Sequence, residues 1–254
     1  MDQVVGPLPG DVVLLNSESD GKNKNIASQS VLTGTQARFT HLAFCTGLAS
    51  FLHADGQSVD WIIVDELFKD YPGEWRAIRH RQIEKLGREE PVRVINAAET
   101  YLGMAYITDK MKFLEGVPLH NETFCSLLIK DVFNGLGVTI FPTLEKPYPV
   151  DFQSLPETDP ESWIDVTERH LFGRDVVKKH PQVRDQAIKL CETSRVTRDS
   201  VIKTYQMHEL LTRHYAVMKE FDRKLGIQIP EVIVPEPDIP LKYWDTKKKI
   251  DPLD

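Results

Sequence analysis

The sequence predicts an α+β fold in which an antiparallel sheet carries a packed helix and a helical extension follows. Three observations predict it. Short apolar or alternating runs bounded by turn residues crowd the chain before Val64. A helix-period segment with one cysteine in its first turn occupies Asn121 to Phe133. Gln182 to Leu225 then runs without a single Gly or Pro.

In order, Gly10 to Asn16 (GDVVLLN) reads as a buried strand after a Pro-Gly turn, and Asp11 is expected to fix that turn. Ser17 to Asn25 is a polar loop, and Ile26 to Thr33 a short helix stopped at Gly34. In FTHLAFCTG, Thr40, Leu42 and Phe44 alternate with His41 and Ala43, the period of a strand, and ASFLHA from Ala49 to Ala54 makes a second. A turn near Gly47 would set His41 and His53, twelve positions apart, on neighbouring strands within reach of each other. Asp60 to Val64 is a further strand. Glu74 to Arg79 fits either a strand or the start of a charged amphipathic helix, which periodicity alone does not separate. Val92 to Leu102 is helical by its alanines and by Val94, Ala98 and Leu102 on one face. Prolines between Phe141 and Pro160 predict an irregular connection, and Glu161 to Phe172 a helix. In the long C-terminal helix Val201, Tyr205, His208, Leu211, Tyr215 and Met218 form a stripe that calls for an apolar partner, expected within the chain.

With 254 residues, 41% of them hydrophobic, the chain can bury a sizeable core. A formal net charge of −7 excludes a nucleic-acid binder held by a basic face, and the Lys247 to Lys249 run reads as a solvated tail. Cys45, Cys125 and Cys191 are too few and scattered for a disulfide framework, and no CxxC pair or HExxH suggests a metal. No cofactor is called for. The N-terminus reaches Pro7 and Pro9 before any apolar run, so neither a signal peptide nor a membrane span is expected, and the compartment is read as the cytoplasm.

Chemistry is expected at Cys125. Asn121 or Thr123 would cap its helix, Phe124, Leu128 and Val132 would be buried, and the helix N-terminus would favour the thiolate. A cysteine among Phe, Leu and Ile is more often a small core residue, so the two histidines decide the reading. One histidine to deprotonate the thiol and another group to orient it make a nucleophilic triad: Cys125, His41 and His53.

GDVV, LTGTQARFTHLAF, FLHADG, AAETYLGMAY and ETFCSLLIKDVF resemble the circularly permuted NlpC-type papain-fold hydrolases, the YiiX-like group, over roughly Gly10 to Leu155. There the histidine strand precedes the cysteine helix, as here, and the related lecithin retinol acyltransferase group carries a second histidine at the same interval. Leu127 and Ile107 stand where YiiX-like members usually carry Glu and Asp. The resemblance implies a permuted papain-like catalytic domain over 1–156, with 157–254 as a helical extension ending in a proline-rich tail. It implies a cysteine hydrolase of the amidase or peptidase type. Lipid acyl or thioester chemistry on the same fold, or an interaction protein using the extension, are the alternatives. Expected partners are a small-molecule, peptide or acyl substrate and a protein docked on the extension.

Overall fold

Val12 to Leu15 form the first strand, β1, and all four side chains are fully buried, as in a strand covered on both faces. The turn before it is fixed as expected: the Asp11 carboxylate accepts the backbone N–H of Leu8 at 2.9 Å. Gly10 takes φ +101°, and a Cβ there would sit 2.1 Å from Ile83 Cγ2. Asp11 does more than hold the turn. Its two oxygens accept Nε and Nη2 of Arg79 at 2.6 and 2.8 Å, an ion pair with both partners buried.

The computed structural model describes residues 8–17, 20–47, 49–56, 58–107, 122–169 and 181–225. β2 (His41–Gly47), β3 (Ser50–Asp55), β4 (Ser58–Ile63), β5 (Trp75–His80), β6 (Ala105–Tyr106), β7 (Glu122–Thr123) and β8 (Trp163–Asp165) complete a sheet in the order β7-β6-β4-β3-β2-β1-β5-β8. Neighbouring strands run antiparallel, except for β6 and β7, which pair parallel over two residues. The α+β class and largely antiparallel sheet match the sequence reading.

The helices are α1 (Asp20–Thr33), α2 (Val64–Asp70), α3 (Arg81–Glu89), α4 (Pro91–Glu99), α5 (Cys125–Gly135), α6 (Pro149–Gln153), α7 (Leu155–Thr158) and α8 (Pro181–Leu225). Strand alternation splits the core in two. Val12, Leu14, Leu42, Phe44, Leu52 and Trp61 face α4 and α5, whereas Val13, Leu15, Ala43, Cys45, Phe51 and Ile62 face α2. Both faces are covered, and α5 is fastened to β2 and β3 by Leu128, Ile129, Val132 and Phe133, all fully buried.

Several expectations are corrected. Residues 20–25 belong to α1 rather than to a loop. Glu74 to Arg79 resolves as the strand, with a helix starting only at Arg81. In place of a helix from Glu161, Trp163 to Asp165 pair with β5, and Thr167 to Arg169 form one 3₁₀ turn, while residues 170–172 lie outside the described ones. Trp163 decides this locally by stacking on Phe133 at 5.4 Å and meeting His80 edge-on. The prolines after Phe141 do not forbid structure: Pro149 and Pro156 open short helices, where the missing N–H is not needed.

The chain divides into two compact units, Met1–Cys191 and Glu192–Asp254. In the first, Ala187 and Cys191 of α8 join the core around α5. In the second, described as far as Leu225, Met207, Leu210, Leu211, Val217 and Met218 are exposed. The side chains of Val201 and Tyr205, and the proline-punctuated tail from Ile227, lie outside the described residues. No helix of the described residues is long and apolar enough to cross a membrane.

Candidate active site

The β2–β3 hairpin brings the two histidines together. Ala43 pairs with His53 across the ladder and Gly47, at φ +91°, turns the chain back toward Ser50. That register leaves His41 Nε2 3.2 Å from His53 Nδ1, with the ring planes nearly perpendicular. At this separation one ring donates and the other accepts, so the contact couples their tautomers. Asp60 is the cross-strand partner of His53 on β4. Both histidines are buried, and Tyr71, just after α2, stacks on His41 with centroids 4.5 Å apart and planes within 8° of parallel. The imidazole of His41 is thus held on one face by Tyr71 and at one edge by His53.

Cys125 arrives from the other layer, as the first residue of α5. Its helix is not capped as expected. Phe124 is the N-cap and contributes no side-chain bond, Thr123 is committed to β7, and Asn121 lies outside the described residues. The sulfur accepts the backbone N–H of Leu42. That donor lies one residue beyond the Ala43–His53 pair, where the β2–β3 ladder ends, so the thiol occupies the point at which the two strands part. Cys125 therefore touches the backbone beside His41.

Burial governs the charge of this thiol. It pushes Cys125 up from 9.0 to about 11, against the pull of the Leu42 N–H and of the hydroxyl and N–H of Ser126, while Asp55 raises it further. The expectation of a stabilised thiolate is corrected: the helix start supplies donors, but a residue only 5% exposed loses more solvation than they return. The Ser126 hydroxyl is fully buried and, the thiol apart, has no hydrogen-bond partner among the described residues. Tyr71 and Tyr106 are also pushed up, first by burial and then by the charges of Asp55 and Cys125, so both phenols keep their protons. Cys45, fully buried on the opposite face of the sheet beside Asp11, is driven higher still, and Cys191 is buried near the start of α8.

Cys125 and Ser126 line a cavity of about 800 Å³, walled by α1, Tyr106, Ile107, Phe124, Tyr148 and Pro149. Sequence reasoning singled out Cys125, His41 and His53, and the structure brings the two histidines into contact with each other and Cys125 onto the backbone N–H next to His41. Sequence reasoning missed Tyr71 and Ser126, and it gave Tyr106 no role although that residue lies in the quoted AAETYLGMAY stretch. The stacking of Tyr71 on His41 had no local signal, because it depends on where α2 ends above the sheet.

No protein-family model matches the chain, and no curated protein does. Among solved structures, the chain is similar to the crystal structure of metalloprotein yiiX from Escherichia coli O157:H7, with 16% identity over 66% of this chain and 93% of the other, at a TM-score of 0.41.

Proposed function

We propose that the chain is a cysteine-dependent hydrolase of the amidase or peptidase type, on a permuted NlpC-type papain-like domain of the YiiX-like kind, with Cys125 as nucleophile, His41 as base and His53 as the group that orients it. The observation that carries this is the 3.2 Å contact between His41 Nε2 and His53 Nδ1, next to the backbone N–H that holds the Cys125 sulfur. With Nε2–H of His41 donating to His53, the basic nitrogen of His41 is Nδ1.

Because burial keeps the resting thiol protonated, the first step is general-base catalysis rather than attack by a preformed thiolate. His41 takes the sulfur's proton as the C–S bond forms and the carbonyl oxygen gains the electron pair. The backbone N–H of Cys125 and the hydroxyl of Tyr106, which stays protonated, are the proposed donors to that oxyanion. Collapse breaks the bond to the leaving amine, which receives the proton from His41. Water, deprotonated by His41, then attacks the thioester. The C–S bond breaks, the carboxylic acid departs and the thiol is restored.

A second reading, a non-catalytic interaction protein, is favoured by the exposed Met207, Leu210 and Val217 of α8. Turnover of an activated amide separates the two. The hydrolase reading expects release of the amine by the native chain and its loss, by about 10³-fold or more, in Cys125→Ala and His41→Ala. Equal release by native and variant proteins would contradict it.

A further inference from the structure

We propose that the exposed stripe of α8 is a self-association surface, on which a second copy of this chain lays the same helix antiparallel. The proposal does not depend on the chemistry at Cys125. α8 runs for 45 residues, about 68 Å at the rise of an α-helix. In its second half Met207, Leu210, Leu211, Val217 and Met218 are exposed, Leu210 at 62% and Val217 at 54%. A helix of this length is held mainly by burying an apolar face, so the stripe calls for a partner.

The spacing is that of a seam between two helices. Positions 207, 210, 214, 217 and 221 step by three and four, and Leu211 and Met218 lie along one edge of that line. In sequence the line reads Met, Leu, His, Val, Phe, so one exposed polar residue, His214, interrupts it. Toward the start of α8 the same positions hold Ser200 and Lys203, and toward its end Lys224, which bounds the seam on both sides. What remains is about two and a half heptads, a strip that one further helix covers.

Charge selects the second copy and its direction. Arg213 and Glu220, both exposed, stand seven positions apart on the edge of the seam opposite Leu211 and Met218. Two antiparallel copies set like edges side by side. With His214 of one level with Val217 of the other, Arg213 faces Glu220 of the second copy, and two-fold symmetry repeats the pair. On the other edge Leu211 meets Met218. A parallel pair would instead set Arg213 against Met218 and Glu220 against Leu225, with no opposite charge for either. Lys224 reaches Glu220 at 3.4 Å along its own helix, an exposed contact too weak to hold that carboxylate away from Arg213. Its stem is free to lie over Met207 of the second copy.

The test is sedimentation equilibrium of the full chain from about 1 to 200 µM, because a seam this short supports a weak, concentration-dependent dimer. The average mass should rise from 29.0 kDa toward twice that value. Arg213→Glu turns both edge contacts repulsive and should raise Kd by about tenfold, and adding Glu220→Arg should restore native association. His214→Leu completes the seam with an apolar side chain and should lower Kd by about tenfold or more. Direction is read by disulfide formation under diamide: Leu211→Cys mixed with Met218→Cys should cross-link, and neither variant alone should. Cross-linking of each variant with itself would overturn the antiparallel arrangement. A mass of 29.0 kDa at every concentration would overturn the surface, and protection of Met207 and Met218 from peroxide in that monomer would assign the stripe to another segment of the same chain. A dimer indifferent to both the charge reversal and His214→Leu would lie elsewhere on the molecule and overturn it equally.

Discussion

Alkylation of Cys125 should climb with pH across the neutral range instead of levelling there. A thiol that titrates at about 11 rather than 9.0 holds about one hundredth of the ordinary thiolate at pH 7, since each pH unit between the two values is a factor of ten. Iodoacetamide reacts with the thiolate, so labelling at pH 7 should be about 100-fold slower than for an ordinary accessible cysteine and rise about tenfold per pH unit toward pH 10. The magnitude has named sources. Burial raises the value, and the Leu42 N–H, the Ser126 hydroxyl and the Ser126 N–H lower it. Ser126→Ala should therefore move the profile further toward alkaline pH. The assay is timed labelling at several pH values, quenched, digested and read by mass spectrometry so that each cysteine peptide is followed separately. Cys45 lags at every pH, because burial and Asp11 drive its thiol higher than that of Cys125. A rate that plateaus at or below neutral pH would refute the reasoning, since it would mean that a thiolate–imidazolium pair exists in the resting protein.

Further predictions concern the framework and the histidine pair. Asp11→Ala takes the two-oxygen partner from a buried, charged Arg79 and leaves it the longer 3.4 Å contact with Glu84, and should cost about 3 kcal/mol in urea unfolding, whereas replacing both residues with apolar ones of similar size should cost much less. Trp163→Ala removes a side chain 2% exposed from its stack on Phe133 and should cost about 3–5 kcal/mol by the same assay. His53→Ala should leave the fold intact and lower kcat by about 10²-fold or more with little change in KM, because it frees the tautomer and tilt of His41 without touching substrate; an unchanged kcat would remove His53 from the mechanism.

The sheet centre was legible because its strands carry their own signal. FTHLAFCTG alternates and ASFLHA follows it as a second short run, and in the two-layer core the side chains of both strands point by turns toward α2 on one side and α4 and α5 on the other. The same alternation set His41 and His53 in register. Elements fixed by distant partners were not legible. β8 is three residues long and exists because β5 offers an edge and Phe133 offers a ring to Trp163. Residues 20–25 have no apolar period, so nothing local extended α1 to Asp20. At the site, a cysteine at a helix start was visible, but its charge was not. The sign of that balance depends on the burial of Cys125 under two layers, a tertiary property that the motif FCS does not encode.

The proposed mechanism turns on a covalent bond between Cys125 and an acyl group. Mixing the full chain with p-nitrophenyl octanoate, quenching in acid within the first turnovers and mapping peptides by mass spectrometry tests it directly. The predicted result is an octanoyl thioester on the peptide bearing Cys125, formed by the native chain, strongly depleted in His41→Ala and absent in Cys125→Ala. Ester hydrolysis with no adduct, or an adduct on Cys45 or Cys191 in its place, would contradict it.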